Sequence, residues 1–228
     1  MTENGTRVAE FFAAAARGDD AAVEKAVAAD PELLDARDGS GLTAVLVAAY
    51  NRHPRLGDAL AMRKEAGPTG LDIFEAAAAG KLSRVRKLLD EGAAVDDRAA
   101  DGFTALHLAA FFGRLDVARL LLERGADPNA PSTGQMRVTP LHSAVSGRHR
   151  DLASLLLALG ASANAVQHGG WTPLHTAARD GDEAIVNLLL LREADPTRPS
   201  DDGRTPADMA AEAGHGAIAE ELREAAKG

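Results

Sequence analysis

Residues 170–178 read Gly-Trp-Thr-Pro-Leu-His-Thr-Ala-Ala, and three other stretches repeat the phrase: Gly102-Phe-Thr-Ala-Leu-His-Leu-Ala-Ala110, Val138-Thr-Pro-Leu-His-Ser-Ala-Val145 and Gly203-Arg-Thr-Pro-Ala-Asp-Met-Ala-Ala211. Their threonines, Thr104, Thr139, Thr172 and Thr205, stand 35, 33 and 33 residues apart. A fixed period of this size is the signature of a stacked array, so the self-similarity decides the fold before any single residue does. Threonine suits a helix N-cap because its hydroxyl accepts from the first free amides, and proline in the next position loses nothing by lacking an N–H. Leu106, Ala109 and Ala110 then recur at helical spacing and form one apolar face, on which the small alanines allow close approach of a neighbour.

Each unit continues into a second apolar run, Leu120–Leu122, Leu155–Leu157 and Leu188–Leu191, and two of these reach Gly125-Ala-Asp-Pro-Asn129 and Gly160-Ala-Ser-Ala-Asn164. Gly113 and Gly181 permit a left-handed turn between the two helices, while Asp101-Gly102 and Asp202-Gly203 carry turn chemistry for a hairpin tip before the next threonine. One unit is therefore hairpin, helix, helix.

These motifs resemble the ankyrin-repeat family over about residues 8–225, strongly from 98 onward. The expected fold is all-α with short β-hairpin loops, a solenoid of about seven repeats in a single domain spanning 1–228, with units at 5–37, 38–69, 70–97, 98–130, 131–165, 166–198 and 199–228. The first and last read as caps, the last because Glu220–Glu224 would put charge on a face that meets water.

The array is irregular in three places. The segment Gly67-Pro-Thr-Gly70 is too short for an ordinary hairpin, which predicts a missing or stunted one and altered stacking across 52–70. An insertion around Pro131–Arg137 lengthens the fifth hairpin, and Arg148 and Glu193 fall where glycine is expected.

Composition narrows function. A net charge of −9 repels phosphate backbones and anionic headgroups, so neither nucleic acid nor membrane is an expected partner. The chain has no cysteine, which rules out disulfides and thiolate metal sites and fits the cytoplasm. The polar start Met1–Thr6 and the apolar run behind it, broken by Glu10, match neither a signal peptide nor a membrane span. His107, His142 and His175 recur once per repeat, but neighbouring helices lie roughly 10 Å apart, too far for shared zinc ligation at about 2.1 Å. The resemblance implies a structural hydrogen bond for them instead. No phosphate loop, metalloprotease helix or nucleophile elbow is present, so no catalytic residue, metal or cofactor is expected.

The resemblance also implies partner binding along a concave face formed by hairpin tips and first helices. The matching positions are the residue before the threonine and the two after Ala-Ala, and they supply the candidate binding set Tyr50, Phe103, Phe111, Phe112, Trp171, Arg179 and Arg204. Five of the eight aromatic residues fall there. One reading makes them anchors for a protein partner of a monomeric scaffold; the other makes them rings packed between hairpins. An alternative function is an enzyme or ligand-binding protein that uses the irregular segment 50–71 as a pocket.

Overall fold

The computed structural model describes residues 3–227; Met1, Thr2 and Gly228, at the ends of the expected domain, lie outside the described residues. The fourteen α-helices among the described residues fall into seven consecutive pairs. These are α1 (Glu3–Arg17) with α2 (Asp20–Ala29), α3 (Ala44–Tyr50) with α4 (Pro54–Ala66), α5 (Ile73–Ala78) with α6 (Leu82–Asp90), and α7 (Ala105–Phe111) with α8 (Leu115–Glu123). The series continues with α9 (Pro140–Ser146) and α10 (Arg150–Ala158), α11 (Pro173–Arg179) and α12 (Glu183–Leu190), and α13 (Pro206–Glu212) and α14 (Gly216–Ala225). One apolar core runs through the stack, from Phe11 and Val23 through Leu106 and Leu141 to Leu222. None of the described helices is long and apolar enough to cross a membrane.

The repeated phrase works as its chemistry suggests. Thr104, Thr139 and Thr172 are N-caps in extended conformation, each forming a capping box with the histidine three residues on. The Nδ1 of His107 accepts from the Thr104 amide, which leaves the proton on Nε2, and Nε2 donates to the Val138 carbonyl of the next hairpin at 2.8 Å. His142 and His175 repeat this toward Trp171 and Arg204, at 3.3 and 3.2 Å. Burial holds His107 and His142 neutral, pushing each pKa down to about 4. Asp208 takes the histidine's place in the last pair and accepts from both the amide and the hydroxyl of Thr205.

A second set of imidazoles reaches the other way. His149, the N-cap of α10, bonds the Phe111 carbonyl of the preceding repeat at 3.1 Å. Its ring lies 2.5 Å from where a Cβ on Gly113 would stand, so that glycine is required by contact as well as by its φ of 70°.

The hairpins are turns rather than strands. Each is closed by a backbone bond, as in Ala99 to Phe103 and Gln167 to Trp171, and the only β-bridge among the described residues is Arg98 with Thr104. Successive tips bond one another, Thr133 to Gly102, His168 to Met136 and Asp201 to Gly169. Arg148 and Glu193 occupy the left-handed region at φ 61°.

The junction between the second and third pairs departs from this scheme. Helix α4 has 13 residues where α6, α8 and α10 have 9. Residues that a regular unit spends on turn and hairpin are spent here on one more helical turn, and Gly67–Leu71 then leads directly to the Asp72 cap of α5. With no hairpin between them, the tips of the second and fourth units meet: a Cβ on Gly41 would lie 2.6 Å from that of Ala100.

Candidate functional site

The closed-up junction assembles one group of aromatic side chains. Tyr50 ends α3, Phe111 ends α7, Phe112 is the C-cap of α7 and Phe103 precedes the Thr104 cap. Ala78 of α5 is buried with Leu46 and Leu108 beneath the rings, and in the intervening repeat the position of Tyr50 and Phe111 is held by Ala79, the C-cap of α5. Because that residue is small, Tyr50 reaches across a whole repeat. Its ring lies 6.1 Å from Phe111 and 5.5 Å from Phe112, and its hydroxyl donates to the Asp101 carboxylate at 2.8 Å. Burial, followed by the Asp101 charge, pushes the Tyr50 phenol well above its ordinary pKa, so it stays a donor.

All four side chains are half-buried. Tyr50, Phe103 and Phe111, with His107, Leu108 and Ser143, surround a recess of about 80 Å³ whose walls are almost wholly carbon. The rings thus pack on one another and still present a surface.

Trp171 and Arg179 form a second group two repeats on, and Arg204, in the following repeat, makes its side-chain bonds elsewhere. The Arg179 guanidinium sits over the Trp171 ring at 5.1 Å and bonds the Asp180 carboxylate at 2.7 Å. Arg204 bonds Asp202 and Glu212, so its charge is matched within the chain.

The irregular segment holds a different feature. A cleft of about 310 Å³ opens between Pro31–Asp35 and the extra turn of α4, with Lys64 in its wall. Lys64 is 6% exposed and donates at 2.8 Å to Glu75, which is fully buried, and Asp35 lies 3.3 Å from the same nitrogen. Burial, reinforced by the neighbouring Asp72, raises the Glu75 pKa above its ordinary value, and the Lys64 bond opposes that. Sequence reasoning missed this pair. Its one visible signal is a glutamate at the capping-box position where three other units carry histidine.

Family models for ankyrin repeats match residues 73–132 and 141–227 in one case and 112–157 in another, the first covering more than half of the chain. Among curated proteins, the chain is 38% identical to the Palmitoyltransferase Hip14 of Drosophila melanogaster over 81 residues, 36% of this chain and 13% of that protein. It is 43% identical over 70 residues to the human Ankyrin repeat and KH domain-containing protein 1, 31% of this chain and 3% of the relative. To the Neurogenic locus Notch protein of Drosophila melanogaster it is 38% identical over 115 residues, 50% of this chain and 4% of the relative. The chain therefore spans a small part of the length of each of these relatives.

Proposed function

The chain belongs to the ankyrin-repeat family, whose repeats are in general protein–protein interaction modules, and from that premise we propose that it is a cytoplasmic scaffold that binds a partner protein through its concave face, without cofactor or catalysis. The observation that carries this reading is the aromatic group at Tyr50, Phe103, Phe111 and Phe112. Phe11 and Phe12 are fully withdrawn into the core, whereas these four stay half-exposed around an apolar recess. Anchors of this kind dominate interface energetics. Arg179 and Arg204, held by their own acids, stand at the rim, where charge contributes to orientation and encounter more than to affinity.

The test is affinity capture from native cells with the wild type and with a Phe111→Ala, Trp171→Ala double variant. The variant should lose a protein that the wild type retains, while its melting temperature falls by only a few degrees. Recovery of the same protein by both, or a cost of roughly 3 kcal/mol or more per ring, would assign these residues to the core instead.

The cleft beside Lys64 supports the alternative of a small-ligand site less well. The Lys64 charge is already answered by Glu75 and Asp35, which is the arrangement of an internal ion pair rather than of a group awaiting a ligand.

A further inference from the structure

The residue before the threonine and the seventh after it approach each other within a unit. In the sixth unit they are Trp171 and Arg179, and the chain lays its own guanidinium on its own ring at 5.1 Å. In the fourth unit they are Phe103 and Phe111, and Tyr50 adds a third wall, leaving the recess of about 80 Å³. The same pair of positions thus holds a cation supplied by the chain in one repeat and an aromatic hollow in the other.

We propose that this hollow binds the methylated ammonium of a lysine side chain on the partner protein. The inference rests on the protein-binding reading above and names the group that the partner inserts. Ring faces attract a cation within about 6 Å of their centres, most effectively where water is excluded. The chain's charge of −9, with Asp101 at the Tyr50 hydroxyl, favours a positive occupant.

The degree of methylation follows from the polar atoms nearby. In the sixth unit Arg179 has an acceptor for its Nε–H in the Asp180 carboxylate. The hollow offers little equivalent: both His107 ring nitrogens are engaged by Thr104 and Val138, the Tyr50 hydroxyl donates to Asp101, and the Ser143 hydroxyl is the remaining side-chain polar group in the lining. A primary ammonium or a guanidinium entering it would leave donors unmet, at a cost that methyl groups remove.

The experiment is a titration of the full chain, followed through the ring resonances of Tyr50, Phe103 and Phe111, with four probes: N-acetyl-trimethyllysine amide, its unmethylated form, its uncharged tert-butyl isostere and phosphocholine. Trimethyllysine should shift those resonances and bind at least about tenfold more tightly than each of the other three. Phe103→Ala and Phe111→Ala should abolish the effect, while Trp171→Ala should leave it intact. No shift of these rings, equal binding of the lysine or tert-butyl probe, or tighter binding of phosphocholine would each overturn the inference. If these probes fail while Phe111-dependent capture of a protein persists, only the methyl-ammonium assignment falls. Loss of both would remove the protein-binding reading as well.

Discussion

At the scale of single residues, the threonine caps show what the histidine contributes. Thr104, Thr139 and Thr172 each have Nδ1 of a histidine 2.8 Å from the hydroxyl. In the second unit Leu46 stands at that third position, and the Thr43 hydroxyl is the one buried side-chain polar atom, among the described residues, without a hydrogen-bond partner. An unmet buried hydroxyl costs stability, and replacing it with a methyl group of similar shape removes the cost. Thr43→Val should therefore be neutral or stabilise by up to about 1 kcal/mol, whereas Thr104→Val should cost about 1–2 kcal/mol. Urea unfolding of the two variants checks this, and equal losses at both sites would contradict it. The cap itself was legible in the sequence because Thr-Pro-Leu-His states its own local chemistry. The orphan at Thr43 was not, since it depends on what surrounds the hydroxyl after stacking.

At the scale of elements, the additional turn of α4 accounts for the junction. It carries Lys64 to Glu75 and closes off the space a hairpin would occupy. Removing one member of a buried pair strands the other charge, so Lys64→Met should cost about 3–5 kcal/mol. The double change Lys64→Met, Glu75→Gln should recover most of that loss, because it leaves no unpaired charge while the amide oxygen introduced at position 75 still accepts from the Asp72 amide. A double-mutant cycle measures the difference, and additive losses would show that the two charges act separately. The shortness of Gly67–Gly70 announced an irregular junction. The length of α4 did not show, because Met62, Arg63, Lys64 and Glu65 are all good helix formers with no apolar period to mark where the helix ends.

Across the whole molecule, the two halves of the stack are joined differently. From the fourth unit onward, histidine-to-carbonyl bonds and tip-to-tip backbone bonds link each repeat to the next. Around the third unit those links give way to side-chain contacts, Tyr50 with Asp101 and Lys64 with Glu75. Repeat arrays unfold in units set by such interfaces. Hydrogen exchange should then show α3 and α5 opening well before α7, α9 and α11; equal protection across these helices would rule out a weak junction.

The repeat, its period and the roles of its caps, helix faces and left-handed glycines were determined by the sequence alone, because these act over a few neighbouring residues and announce themselves wherever they recur. The aromatic positions were legible for the same reason. What only the tertiary structure decided was which of them meet. Tyr50 and Asp101 are 51 residues apart, and they touch because a lost hairpin lets the second and fourth units close over a third that ends in a small side chain. That outcome is set by how successive helix pairs stack, and no local pattern encodes it.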